Sequence, residues 1–475
     1  MDLLPCPTHP SPMTCTHAPS LTPISLPLRA SVLVMALSLL LSGCASLYAT
    51  DSDTDPAGAQ SASAVSLSTW WQDFHDPLLA ELIQQALLAN PNITAAQAAL
   101  QQARALRDVK LAATRPQVTV SGSVQRNKSE NSPSSIGYSS GLDASWELDV
   151  FGAKRDAVAN SEADLTAARA NLRDVQLSMT TEVALAYIQL RGLQEQLTLA
   201  QHNLASQLET LQLTQWRTQA GLVTSLEVAQ AQTAASQTAA QIPALENSQA
   251  TARHSLAVLT GQQPTELDAI LATAAPIPRV TDAVAEVISA NSLRQRPDVR
   301  AAEARITAAL AAVDAAQAAR KPNFRLGGSL GLSALTLAGL SSGATLATQV
   351  LGSVSIPVLD GGALRAQVRV QQAALAQTRA NYQNTVLTAL KEVEDALISL
   401  RNNRTRLGHL QQAATAALQA DLLAQDRYSS GLIDFQTVLQ TQRTVLNAQD
   451  SLASLQAQLG SDHVRLVKAM GGGWQ

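Results

Sequence analysis

The sequence predicts a mostly α protein with a transmembrane β-barrel contribution: a long coiled-coil α-barrel plus four barrel strands per chain. Three observations predict it. Two helical runs, one following Gly152 to about Gln219 and one following Gly362 to about Ser429, carry apolar heptads longer than any compact domain needs. Two segments, 116–151 and 322–360, alternate apolar and polar residues with a period of two. The whole pattern also occurs twice, so the chain is an internal tandem repeat.

In the first run Leu165, Leu172, Met179, Ala186, Leu193 and Ala200 recur every seventh residue, interleaved by Val183, Leu190, Leu197, Leu204 and Leu211. The second run repeats this with Leu375, Tyr382, Ala389 and Ala396, interleaved by Val386, Val393, Leu400 and Leu407. At about 1.5 Å per residue each run is a rod of roughly 100 Å. Aromatic residues make up only 3% of the 475, so seams of Ala and Leu in thin helical layers replace a thick core. The net charge of −4, with no basic block, excludes a nucleic-acid partner.

At the N-terminus, residues 32–41 are an apolar run preceded by Arg29 and followed by Leu41-Ser42-Gly43-Cys44. Ten residues are too few to span a bilayer but suit a signal-peptide core, placing a signal over 1–43. Small residues before Cys44 resemble the bacterial lipoprotein signal, in which that cysteine receives a covalent lipid and becomes the new N-terminus. Ala45 follows, not the Asp that commonly retains such lipoproteins in the inner membrane. Cys6 and Cys15 lie in the leader, so no disulfide framework remains. Residues 44–75 begin as a Ser/Ala/Asp/Thr-rich tether and end in Trp70, Trp71 and Phe74. These aromatics form either a local staple or a docking surface.

The first repeat spans 76–261. Asp76 and Pro77 predict an N-cap and first helical position, and the helix they start is expected to run until Arg115 and Pro116. In the hairpin, Val118, Val120, Gly122 and Val124 share a face. A polar break over Asn127–Gly137 precedes a second strand with Tyr138, Leu142, Trp146 and Leu148 on one face. A linker over 262–291, with Pro264, Pro276 and Pro278, leads to a second repeat over 292–475. Its hairpin puts Phe324, Leu326, Leu330 and Leu332 on one face of the first strand. Leu346, Val350, Val354, Ile356 and Val358 share a face of the second. Pro116 and Pro322 are 206 residues apart; Gly221 and Gly431, Arg217 and Arg427, and Gly261 and Gly471 are 210 apart.

Four strands cannot close a barrel, and each backbone group left unpaired in lipid costs several kcal/mol. The chain must therefore oligomerise. Three copies give twelve strands, enough to close around an aqueous lumen.

Five stretches, LSGC, WWQDFHDPLLAELI, RPDVRAAEARI from Arg296, PVLDGGALRAQV from Pro357 and RYSSGLIDFQTVL from Arg427, resemble the outer-membrane efflux channel family (TolC-like), in its lipoprotein NodT/OprM-type branch. The resemblance covers the chain from Cys44 to about Met470. It implies a homotrimer in outer-membrane lipid with a 12-stranded barrel and a long periplasmic α-barrel. The N-terminal segment and the linker would form an equatorial belt. It also implies docking with a periplasmic adaptor (membrane fusion) protein and an inner-membrane pump, RND-type or similar, to export toxic compounds.

The turns at Gly221 and Gly431, with Glu227, Asp434, Gln436 and Gln440 beside them, are then the expected periplasmic gate and adaptor-contact tips. The family usually carries an aspartate nine residues after the second glycine; here that position is Gln440. Rival readings are a channel for type I protein secretion, a structural periplasmic coiled-coil lipoprotein, and an enzyme. The enzyme has the least support. His75, His202, His254, His409 and His463 are scattered, no nucleophile elbow or phosphate loop appears, and Glu392, Glu394 and Asp395 read as a solvated helix face. No metal or other cofactor is expected beyond the lipid on Cys44.

Overall fold

The computed structural model describes residues 69–129, 132–280 and 294–472; the expected signal peptide, Cys44, most of the tether and residues 281–291 of the linker lie outside them. In chain order a 3-10 turn (Trp70–Phe74) leads to α1 (Pro77–Ala89), α2 (Pro91–Ala112), β1 (Gln117–Ser129), β2 (Ser132–Leu148), α3 (Ala153–Gln219) and α4 (Ser225–Leu259). There follow α5 (Asp268–Leu271), α6 (Pro297–Ala318), β3 (Asn323–Ala334), α7 (Gly339–Ser342), β4 (Thr345–Ser355), α8 (Ala363–Ser429) and α9 (Phe435–Ala469). The described residues fall into two units: residues 119–143 with 329–349, and the remainder, which holds every long helix.

The long helices are where the heptads place them, 67 residues each. Leu165, Met179, Val183, Leu190, Ala200 and Leu211 are buried along α3. Between Val183 and Gln194 the seam widens to include Ala184, Tyr187, Ile188 and Arg191. The cause is the N-terminal segment: Trp70, Trp71, Phe74 and the Leu79, Leu82, Ile83 face of α1 pack into one core with this part of α3 and with Leu256 and Val464. The aromatics therefore dock on the long helices, each large side chain contributing about 1.5–3 kcal/mol by burial. A polar chain pins the docking. Asp76 accepts from the Leu78 and Leu79 amides as N-cap of α1, and its other oxygen accepts from the Tyr187 hydroxyl at 2.7 Å. Buried Arg191 donates to that hydroxyl, to Gln194 and to the Thr273 carbonyl.

Four details differ from expectation. The single helix from Pro77 to Arg115 is two, because Pro91 has no N–H and holds Asn90 extended. The Asn90 side chain then caps α2, accepting from the Asn92 amide at 2.8 Å. The polar stretch Asn127–Gly137 belongs largely to β1 and β2, since pairing satisfies the backbone whatever the exposed side chains are. Ile356 and Val358 fall beyond β4, next to Pro357, which has no ladder donor. Glu392 is not simply solvated, for its carboxylate pairs with buried Arg296 at 2.7 Å.

The strands form one sheet in the order β1-β2-β3-β4. Within the smaller unit, Ser121 Oγ meets Asp143 and Ser123 Oγ meets Ser139 Oγ, an antiparallel register. Apolar side chains on the sheet face outward: Val120 is 77% exposed and Val350 83%. No helix among the described residues is long and apolar enough to cross a membrane.

In the helical unit the repeat shows as repeated hydrogen bonds. Asn90 Nδ2 donates to the Leu259 carbonyl at 2.7 Å, and Arg296 Nη1 to the Ala469 carbonyl at 2.9 Å. The two copies are not equally covered. α6 packs on both α3 and α8, and α9 likewise on both, whereas α2 packs mainly on α3 and α4 mainly on α3. Leu165, Ala167 and Ala170 of α3 are buried; their counterparts Leu375, Gln377 and Ala380 of α8 are not.

Two left-handed glycines separate fold from turn. A Cβ at Gly261 (φ +74) would lie 2.4 Å from the Ala89 carbonyl oxygen, while Gly221 (φ +73) opens on empty space. Gly221→Ala is expected to cost only the left-handed penalty of about 1–2 kcal/mol. Gly261→Ala must also displace the end of α1. Thermal unfolding in detergent, followed by far-UV circular dichroism, should show at least twice the loss in Tm for Gly261→Ala; equal losses would contradict the packing described.

Candidate functional site

α3 and α8 end in the same device. Gly221 and Gly431 adopt φ of +73 and +72, conformations glycine enters without steric cost. The Gly221 amide donates to the Thr218 carbonyl and the Leu222 amide to that of Arg217. Gly431 and Leu432 repeat this on Tyr428 and Arg427, at 3.0 and 2.8 Å. Each pair is a Schellman motif, which satisfies carbonyls that the helix itself leaves open.

The chain re-enters helix at once. Thr224 and Glu227 form a capping box on α4, the Thr224 amide donating to Glu227 Oε2 at 2.7 Å. Asp434 caps α9, accepting from the Thr437 amide at 2.9 Å. The Thr437 hydroxyl and amide hold the Asp434 carboxyl below the usual carboxylate range.

One apolar cluster joins the two helix-turn-helix tips: Leu211 of α3, Ala231 and Ala234 of α4, Ala424 and Tyr428 of α8, and Phe435 and Val438 of α9. The Tyr428 and Phe435 rings lie 5.5 Å apart. Arg217 crosses from the end of α3, its guanidinium 4.4 Å from the Tyr428 ring centroid. It donates to the Tyr428 carbonyl at 2.9 Å and the Ser429 carbonyl at 2.7 Å, placing a cation on the negative end of α8. Higher in the joint, Gln442 Nε2 donates to Thr210 Oγ1 at 2.9 Å. Asp421 accepts from Thr441 and Gln425, and burial raises its carboxyl above the usual range despite those bonds.

Of the residues expected at the tips, Gly221 and Gly431 close their own turns, and Glu227 and Asp434 cap different helices. Gln436 is brought against the first tip, its Oε1 accepting from Gln230 Nε2 at 3.4 Å. Gln440 is exposed on α9, beyond the cap. Cys44 lies outside the described residues. The residues that tie the tips together, Arg217, Tyr428 and Phe435, were not among those expected. Their only sequence signal is an arginine four residues before each turn glycine, and spacing does not reveal which carbonyls it reaches.

The description "outer membrane efflux protein" fits the sequence twice, over residues 82–262 and 288–472. The chain belongs to the outer membrane efflux protein family. It is 33% identical over 473 residues to the pyoverdine export outer membrane protein OpmQ of Pseudomonas putida, covering 95% of this chain and 99% of that one. It is 32% identical to nodulation protein T of Rhizobium leguminosarum bv. viciae, with 87% and 86% covered. Among solved structures, the outer-membrane channel OprN matches with a TM-score of 0.81 at 36% identity, covering 85% of this chain and 92% of that chain. An outer membrane efflux protein is a transport channel. No group of three or more His, Cys, Asp or Glu able to hold a metal occurs among the described residues.

In this outer membrane efflux protein Arg217 holds one hairpin to the other. Arg217→Ala should expose the end of α8, at about 1.5–3 kcal/mol for hydrogen bonds to a charged group. Hydrogen exchange of the amides from Tyr428 to Leu432 is then expected to accelerate at least tenfold. Arg217→Lys should recover little, because an ammonium neither forks onto two carbonyls nor stacks flat on a ring. Unchanged exchange in Arg217→Ala would show that the apolar cluster alone holds the joint.

Proposed function

We propose that three copies of the chain close a twelve-stranded barrel in the outer membrane and a helical tunnel in the periplasm. The assembly is a passive conduit anchored in addition by lipid on Cys44. It docks at the Gly221 and Gly431 tips with a periplasmic adaptor and an inner-membrane pump of RND or similar type. Residues 76–261 and 292–475 are its two structural repeats, with 44–75 and 262–291 in the equatorial belt. One observation carries the oligomer: the second-repeat helices α6 and α9 each pack against α3 of the other repeat, while α8 lacks the equivalent neighbours. A second and third copy, presenting α2 and α4 to α8, would supply them. The cargo favoured is a small toxic compound, supported by likeness to relatives of Pseudomonas putida named for toluene efflux and antibiotic efflux. Type I protein secretion is the rival.

Detergent-extracted protein should have a mass near three times 49.9 kDa, less the leader. Radioactive fatty acid should label the wild type in the same membranes and not Cys44→Ser. A monodisperse single chain rich in β structure would sink the trimer, and equal labelling would sink the lipid anchor.

Gln440 sets a second expectation. Three carboxylates in a narrow pore concentrate cations and bind divalent ions, and three amides do so far less. Glu227 and Asp434 remain carboxylates in their helix caps, where the positive ends of the helix dipoles they cap partly offset their charge. Wild type should therefore show weak cation selectivity and weak divalent block in planar bilayers, with Gln440→Asp raising both. Strong block in wild type, unchanged in Gln440→Asp and in Glu227→Gln, would place the constriction elsewhere.

A further inference from the structure

We propose that Arg115, Arg320 and Lys321 form a binding site for the headgroup of an anionic phospholipid, in the leaflet that faces the helices. The proposal rests on the membrane-embedded sheet proposed above and concerns the line where its strands give way to helices.

The sequence puts a cation on that line twice. Arg115-Pro116 and Lys321-Pro322 stand 206 residues apart, each after the helix that precedes a hairpin. Proline cannot continue the helix, so the basic residue before it is held at the level where the strand begins. In the second repeat Arg320 doubles the charge.

The end of β2 brings these cations to one place. β2 lies between β1 and β3 in the sheet. Trp146 Nε1 donates to the Thr114 carbonyl at 2.9 Å, and Glu147 Oε1 accepts from Asn323 Nδ2 at 2.6 Å. Arg115 and Lys321 therefore flank the end of β2, about 10 Å apart across two strand spacings. Lys154 Nζ fixes the same corner by donating to the Ala113 carbonyl at 2.7 Å.

The charges here are unequally answered. Glu147 pairs with Lys154 at 3.4 Å, Asp149 accepts from the Lys154 and Arg155 amides, and Asp360 accepts from those of Gly362 and Leu364. Arg115, Arg320 and Lys321 are exposed, and none of the three makes a side-chain hydrogen bond or ion pair among the described residues. Apolar surface adjoins them: Val118, Trp146, Leu148 and Phe151 are exposed, and the Phe151 and Phe324 rings lie 6.3 Å apart. The Trp146 N–H is satisfied within its own chain, so the ring is fixed at a level that suits a membrane interface. A ligand that fits has an anionic group for the cations and a hydrocarbon tail for the exposed rings and aliphatic side chains. A lipid phosphodiester with net negative charge supplies both. A zwitterionic headgroup adds an ammonium that the same three cations repel, and free phosphate has no tail.

Native mass spectrometry of the full-length assembled channel in detergent tests this, with phosphatidylglycerol and phosphatidylcholine of the same acyl chains added in turn. Each cation beside an anionic lipid is worth about fivefold in affinity. Wild type should bind phosphatidylglycerol about tenfold more tightly than phosphatidylcholine, or better. Arg115→Gln with Lys321→Gln should weaken phosphatidylglycerol roughly twenty-five-fold and phosphatidylcholine by less than about threefold. Exchanging the cations, Arg115→Lys with Lys321→Arg, should keep binding within about threefold of wild type. Arg126→Gln with Lys128→Gln removes the same charge from the other end of β1 and should change neither affinity by more than about threefold. Inorganic phosphate in large excess should leave the lipid bound. Equal affinity of a three-chain assembly for the two lipids overturns the site and leaves the trimer standing. So does displacement by phosphate, or a loss in the Arg126/Lys128 variant equal to that in Arg115/Lys321. A single-chain mass that keeps the lipid preference overturns the trimer and supports the site, whose residues all lie on one chain; a single-chain mass without it overturns both.

Discussion

Backbone amides and carbonyls left unpaired in hydrocarbon cost several kcal/mol each, and the rest of this chain is arranged around that constraint. β1 and β4 are the edges of an open four-stranded sheet, and their exposed valines suit lipid and not a soluble core. A sheet of this kind is satisfied only by meeting further strands at both edges. The unequal covering of the two repeats expresses the same need in the helices, since α3 is enclosed by elements of both repeats and α8 is not. Sheet edges and helix faces are thus incomplete on the same scale, one chain among several.

Much of this was legible in the sequence because the signals are periodic and local. A heptad held from Leu165 to Leu211 specifies a helix whatever surrounds it, and the glycines before and after each run fix its ends. Signals that act at a distance were not legible. The Asn90 break depends on one proline and one capping side chain inside a strongly helical composition, and composition argued for continuity. Arg217 and Arg427 align as a repeated pair, yet only three-dimensional packing distinguishes a guanidinium that reaches two carbonyls from one that reaches none among the described residues. The ion pair of Glu392 with Arg296 joins residues 96 apart and leaves no local trace.

The long helices are held unequally along their length, and that gradient carries the functional consequence. Around Val183 to Gln194, α3 is enclosed by the N-terminal aromatics, α1, α4 and α9, and the Asp76–Tyr187–Arg191 chain ties the layers together. Burial and the hydrogen bond to Asp76 raise the Tyr187 pKa, so the phenol stays a donor there. Burial lowers that of nearby His463, which packs edge-on to Phe74 as a neutral ring.

Toward the C-terminal end of α3 the packing thins to one small cluster around Leu211, Tyr428 and Phe435, with Trp216, Leu222 and Leu432 left exposed around it. Local opening follows the buried contacts that must be broken, so the free energy to separate helices falls from the belt toward the tips. A rod clamped at its middle and lightly joined at its end bends at that end without disturbing the clamp. The tips are therefore where the helices of this chain part at the smallest cost. Any ligand or partner acting there needs a preference of only a few kcal/mol between the closed and parted arrangements to shift most of the population, whereas the belt would demand far more.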